Sequence, residues 1–175
     1  GLHLGAICSQ RVVETSPLVR AGWPPLAETY GQVAAVRIRN QATVGGGLAS
    51  GDPNQDPPPS LLVLDARVRL VSSAGERWLP LSDLFQGYFE TSIAPSEVLT
   101  GVDIHPMSVG TGTAYLKFLP KTADDYATVS AGACIRLDEQ GVCQEVRLAL
   151  GSVGPTPVRA VAAELVLLGQ LPSAS

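Results

Sequence analysis

The chain has 175 residues, enough for one domain or two small subdomains with a modest core. Hydrophobic residues make up 45% and charged residues 16%, a balance that excludes a disordered chain. A formal net charge of −4 and an aromatic content of 5% leave no basic face and no stacking platform for nucleic acid.

In chain order, residues 2–8 alternate weakly and predict a short strand. Ser16-Pro17 reads as a helix start, with Ser as N-cap and Pro at the first helical position. Pro24-Pro25 ends that helix and opens another through Leu26, Ala27, Tyr30, Val33 and Ala34. The glycine- and proline-rich stretch 43–59 is read as a loop, and the apolar run 60–64 follows it. Residues 67–71 and 76–79 predict a hairpin about Ser73-Ala74-Gly75, and Ser82-Asp83 a cap for a short helix through Phe85 and Phe89. Val98 to Ile104 keep period two, ending at a structural His105-Pro106, and 114–119 is a further strand. Residues 126–137 and 142–153 predict a hairpin about Asp138-Glu139-Gln140-Gly141. Thr156-Pro157 reads as the cap of a last helix, with Val158, Val161, Ala162, Leu165 and Leu168 on one face and Gly169 as its stop. The predicted class is α+β, an antiparallel sheet with flanking helices.

The apolar segment 161–171 is interrupted by Glu164 and falls short of a membrane span, so no membrane insertion is expected. Cys8, Cys134 and Cys143 form no CxxC and read as free thiols. With His3 and His105 far apart, no metal site is expected.

The segment able to carry chemistry is Thr43-Val44-Gly45-Gly46-Gly47. Consecutive glycines let main-chain N–H groups approach a ligand with no Cβ in the way, and Thr43 adds a hydroxyl. The same glycines also suit a plain tight turn, and neither a Walker nor a Rossmann pattern is present. Asp52 and Asp56, four apart, read either as acceptors for ligand hydroxyl or ring N–H groups or as turn and helix-cap residues.

The run 38–53 resembles the second flavin-contact segment of the molybdenum hydroxylases. Specifically, it is similar to the medium, FAD-binding subunit of carbon monoxide dehydrogenases, which shares a domain type with xanthine dehydrogenase. Leu4-Gly5-Ala6, Ser16 to Arg20, Leu62 to Ala66, Phe89-Glu90-Thr91, Glu97 to Thr100, Asp124 to Val129 and Gly154 to Ala160 follow in family order over nearly the whole chain.

The resemblance implies an FAD-binding domain of the PCMH type over 1–106 and a C-terminal flavoprotein subdomain over 107–175. It places Thr43, Val44, Gly45, Gly46 and Gly47 along the FAD pyrophosphate and ribityl region, Asp56 as a carboxylate on the flavin side and Leu99 as an apolar contact. It further implies Lys117 as a basic residue facing FAD and Tyr126 in a loop over the isoalloxazine. No residue is expected to be catalytic. Relatives carry Asn or Ser where Gly47 stands, and the family's first glycine-rich FAD segment lies upstream of residue 1, so a chain truncated at both ends is expected. The implied role is a cytoplasmic oxidoreductase subunit passing electrons to an external acceptor, with an iron–sulfur small subunit and a molybdopterin large subunit as partners. The alternative is a non-catalytic assembly module of the same fold that has lost FAD.

Overall fold

The computed structural model describes residues 1–120 and 125–172. Strand β1 is Leu2–Gly5, shorter than its alternation predicts, because helix α1 (Gln10–Thr15) starts at once under a Ser9 cap that accepts from Val12 N. Helices α2 (Pro17–Gly22) and α3 (Pro24–Gly31) begin at the predicted prolines, and Ser16 caps α2. Helix α4 (Val36–Gln41) follows.

The stretch read as a loop is largely helical, which corrects the sequence reading. Val44–Ser50 forms α5, capped by Thr43 and ended by Gly51 in the left-handed region at φ 62°. Pro57–Val63 forms α6, with every residue buried. Three prolines open α6 where no intrahelical N–H partner is needed, and the fixed φ of proline suits a first turn.

Strands β2 (Arg67–Ser72) and β3 (Gly75–Pro80) form the expected hairpin. The helix predicted through Phe85 and Phe89 is absent. A 3-10 turn covers Leu81–Asp83, and β4 (Phe85–Gly87) then pairs with β5 (Glu90–Thr91). Phe85 and Leu84 drop into the core at successive positions, and Phe89 turns into the left-handed region at φ 56°, which no helix continues.

Strand β6 (Val98–Ile104) completes a four-stranded antiparallel sheet in the order β1-β6-β2-β3. Strands β7 (Thr111–Phe118), β8 (Val129–Leu137) and β9 (Cys143–Gly151) build a second antiparallel sheet, edged by β10 (Val158–Arg159). The last helix, α7, is Val161–Leu167 rather than starting at Pro157, because Val158 and Arg159 pair with Leu150 and Ala149. Its apolar face is exposed. The helix is held instead through buried Glu164, which accepts from Arg159 at 2.6 and 2.9 Å and from Leu148 N at 2.8 Å.

Helix α6 packs against α3 on one side and β8 and β9 on the other, so it joins the first part of the chain to the second sheet. Gly132 and Gly151 admit it. A Cβ at Gly132 would lie 3.0 Å from Pro59 O, and one at Gly151 would lie 2.7 Å from Pro59 Cγ. All three cysteines are free, and Cys134 faces Arg147 across the hairpin rather than Cys143. Among the described residues no helix is long and apolar enough to cross a membrane.

Candidate functional site

The glycines of α5 do three different jobs. Gly45 lets the helix rest on the end of β1: an added Cβ would sit 2.5 Å from Ala6 Cβ and 2.9 Å from Ala6 Cα. Gly46 is exposed, and its N–H donates to Thr43 Oγ1 at 3.1 Å as the capping bond. Gly47 leaves room for a neighbour, since its missing Cβ would lie 2.9 Å from Gln55 Oε1 and 3.5 Å from Gln10 Nε2. The first N–H groups of α5 are all engaged within the protein: Val44 N to Cys8 O at 2.9 Å, Gly45 N to Ala6 O at 2.8 Å, and Gly46 N to Thr43. The Val44 and Gly45 bonds fasten α5 to the segment after β1, and the Gly46 bond closes its cap.

Beside α5 lies a cavity of about 500 Å³, within the usual range for small-molecule sites. Gly47, Ser50, Asp52, Gln55 and Asp56 line it from the glycine-rich region, and Gln10 from α1. Val33, Ala34, Ile38 and Ala42 form an apolar wall, and Phe89, Asp125 and Tyr126 close the far side. Both sequence halves thus contribute. The wall is fixed by Arg39. Its Nε donates to Glu14 at 2.8 Å, and its Nη1 donates to Val33 O at 2.7 Å and Ala34 O at 2.5 Å. Those bonds hold Ala34 at φ 39°, an unusual value for a residue with a Cβ. Burial pushes the Glu14 carboxyl up, but Arg11 and Arg39 outweigh it and leave the pKa below the ordinary value. Phe89 is anchored by its N–H to Gly51 O at 3.0 Å, leaving its ring largely exposed at the cavity edge.

Asp56 occupies the N-cap position of α6 but cannot cap it, because the next three residues are prolines and offer no N–H. Its carboxylate turns to β7 instead. Oδ1 accepts from Tyr115 Oη at 2.7 Å and Oδ2 from Lys117 Nζ at 2.8 Å, while Lys117 also donates to Gln32 O at 3.0 Å. The side chains of Lys117 and Asp56 are 1% and 4% exposed. Burial raises the Asp56 carboxyl above its usual range against the pull of Lys117 and Tyr115. Burial, then the Asp56 charge, drives the Tyr115 phenol well above its ordinary value, so it stays a donor. Burial first and Asp52 second also raise Tyr126.

Of the residues singled out in the sequence, Gly47, Asp52, Asp56 and Tyr126 come together at the cavity. Lys117 lies behind it as the partner of Asp56. Thr43, Val44, Gly45 and Gly46 form the start of α5 and do not line the cavity. Leu99 lies in the core on β6, opposite Leu70, and is 7% exposed. Asp52 accepts from Asn54 N at 3.0 Å, the turn role its spacing allowed. Asp124 lies outside the described residues. Sequence reading missed Gln10 and Gln55. Gln10 is 5% exposed, and its Oε1 has no hydrogen-bond partner among the described residues. Gln55 donates to Gly47 O at 2.8 Å and Ser50 Oγ at 2.6 Å.

An apolar slot edged by two aromatic rings and lined by carboxylates fits the ring and hydroxyl-bearing parts of FAD. Its acidic lining does not suit a diphosphate, which needs donors or positive charge.

The FAD binding domain in molybdopterin dehydrogenase matches residues 1–107, and the CO dehydrogenase flavoprotein C-terminal domain matches residues 114–175. The alpha subunit of the 6-hydroxypseudooxynicotine dehydrogenase complex of Paenarthrobacter nicotinovorans is 35% identical over 95% of this chain and 56% of its own length. The carbon monoxide dehydrogenase medium chain of Hydrogenophaga pseudoflava is 32% identical over 95% of this chain and 58% of its own. A solved carbon monoxide dehydrogenase from Hydrogenophaga pseudoflava superimposes with a TM-score of 0.94 at 33% identity, covering 98% of this chain and 59% of that one. The chain thus spans less than two thirds of the length of these relatives. With the first family model matching more than half of its residues and the second continuing to its end, the chain belongs to the FAD-binding flavoprotein family of the molybdopterin dehydrogenases.

Proposed function

We propose that this chain is the FAD-holding, electron-transferring part of a molybdopterin-dependent hydroxylase or dehydrogenase. The observation that carries the reading is the cavity beside α5, built by residues from both matched regions in a chain of the FAD-binding family. FAD supplies two-electron and one-electron redox chemistry when bound, so the protein's part is to hold, orient and tune it. Val33, Ala34 and Ile38 offer apolar contact to a ring, and Phe89 and Tyr126 offer aromatic edges. Asp52 and Asp56 face the cavity as acceptors, and Lys117 keeps Asp56 positioned. Thr43 and the glycines after it set the pose of α5 and through it the place of Gly47. Leu99 acts from the core, on the strand β6 that it shares with Val102. The boundary between the two functional regions lies near residue 107, where the FAD-binding match ends shortly before β7.

In this role the electrons come from iron–sulfur centres on a small subunit, the substrate is oxidised on a molybdopterin-bearing large subunit, and an external acceptor takes the electrons. The medium-chain and subunit names of the relatives support such an assembly. The proposed setting of this assembly is the cytoplasm.

The test is to express the complete gene, record the visible spectrum of the purified protein, and identify any chromophore released on denaturation. Release of FAD is expected. A colourless, folded protein that also fails to take up added FAD would overturn the reading in favour of an assembly module without cofactor.

A further inference from the structure

A ring of three hydrogen bonds ties the end of α5 to the loop that follows it. Ser50 Oγ donates to Gly47 O at 2.7 Å, and Gln55 Nε2 donates to that same carbonyl at 2.8 Å and to Ser50 Oγ at 2.6 Å. The ring decides which way the Gln55 carboxamide faces. Turned over, it would set its own oxygen against the Gly47 carbonyl oxygen, two acceptors with no proton between them. Nε2 is thus the engaged end of the group, and Oε1 is the open one. Oε1 lies over Gly47, where an added Cβ would meet it at 2.9 Å. Gly47, Ser50 and Gln55 all line the cavity beside α5. Gln55 is only partly buried, and its Oε1 has no hydrogen-bond partner among the described residues, yet it is not cut off from solvent. The carboxylates nearby are already engaged: Asp56 accepts from Tyr115 and Lys117, and Asp52 Oδ1 from Asn54 N.

We infer that Gln55 is a specificity-determining residue of the cavity: its Oε1, aimed by the ring with Gly47 and Ser50, accepts a hydrogen bond from a hydroxyl or ring N–H donor of the cofactor. The inference rests on the FAD reading above and adds to it a specific contact from the loop between α5 and α6. Its physical basis is preorganisation. The carboxamide is oriented by bonds that do not involve the ligand, so little side-chain freedom is left to lose on binding. A neutral acceptor also meets a neutral donor without burying a further charge beside Asp52 and Asp56. The bare Cα of Gly47 belongs to the arrangement, because a side chain there competes with Oε1 for its place.

The experiment uses the protein expressed from its complete gene and freed of cofactor, with Gln55→Met, Gln55→Asn and Ser50→Ala compared with the parent. FAD affinity is measured by titration at a temperature where the thermal midpoints show every variant folded. Gln55→Met removes the oxygen and Gln55→Asn draws it back by one methylene. Both are expected to bind FAD about tenfold more weakly, the size of one lost hydrogen bond. Ser50→Ala keeps the oxygen and its tie to Gly47 O, and is expected to stay within about threefold of the parent. Competition against FAD by riboflavin and by ADP then locates the donor. A loss confined to one half of the cofactor in Gln55→Met is expected and marks the half that carries it. An equal loss for both halves shows a general distortion of the cavity and overturns the inference. Equal weakening of FAD in Ser50→Ala and Gln55→Met overturns it too, by making Gln55 a structural tie of α5. Unchanged FAD affinity in both Gln55 variants overturns it while leaving the FAD reading intact. If the parent itself takes up no FAD, the FAD reading falls and this inference with it.

Discussion

Lys117 on β7 and Asp56 at the head of α6 form an ion pair, 2.8 Å long, that is almost wholly shielded from water and joins the two halves of the chain. Removing one partner leaves the other charged and buried, which typically costs about 3–5 kcal/mol. Lys117→Met and Asp56→Leu should each lower the urea midpoint substantially. The double variant should recover most of that loss, since an apolar pair replaces a desolvated one. A double-mutant cycle by equilibrium unfolding checks this, and additive losses would show that the two residues are not coupled.

The three glycines of α5 should respond in a fixed order. Gly45→Ala drives a methyl into Ala6, an overpacking that costs about 1–3 kcal/mol. Gly46→Ala places a Cβ 2.8 Å from Thr43 Oγ1, so a loss of about 1 kcal/mol from the cap offsets a similar gain in helix propensity. Gly47→Ala meets only the ends of two glutamine side chains, so it should be neutral or mildly stabilising. Thermal denaturation of the three variants gives the ranking.

Arg39 should matter to the cavity as much as to the fold. Its side chain is 11% exposed and pairs with Glu14, which is 13% exposed, while it also binds the Val33–Ala34 turn. Arg39→Met should destabilise by about 3 kcal/mol and weaken FAD uptake, because the turn that walls the cavity loses its fastening. Flavin titration at a temperature where the variant stays folded separates the two effects.

Acid should loosen the link between β3 and the segment leading into β6 through Glu97. The Arg77 guanidinium, donating at 2.6 Å and 2.8 Å, and then Ala94 N hold its pKa down at about 2. A carboxyl with a depressed folded pKa stabilises the protein above its unfolded pKa, near 4.5, and loses that contribution as pH falls toward 2. Stability measured across this window should fall less steeply in Glu97→Gln than in the parent.

How much was legible in the sequence follows from how local each signal was. Ser16-Pro17, Pro24-Pro25 and the hairpin about Asp138 to Gly141 carry their own capping and turn chemistry, and they stand where expected. Thr43 to Ser50 read as a loop because three glycines oppose a helix. What makes it one is tertiary: the rest against Ala6 and the bonds to Cys8 O and Ala6 O. The α7 face formed by Val161, Leu165 and Leu168 has helical periodicity, yet Glu164 decides which side faces β9. At the site, Asp52, Asp56 and Gly47 were visible as a cluster in sequence. Gln10 lies more than thirty residues away from them on a helix the sequence reading did not predict, so no spacing could associate it. A polar residue at a position that then reads as core was the available signal.

The order in which the chain is made has a consequence for the Asp56–Lys117 clamp. Asp56 leaves the ribosome while β7 has yet to be synthesised, so the nascent first half must carry this carboxylate without its lysine and tyrosine partners. The far wall of the cavity, with Asp125 and Tyr126, arrives later still. With this cavity as the proposed flavin site, loading is expected to follow translation of the second sheet, and a ribosome stalled near residue 107 is expected to display a nascent chain that does not retain the cofactor.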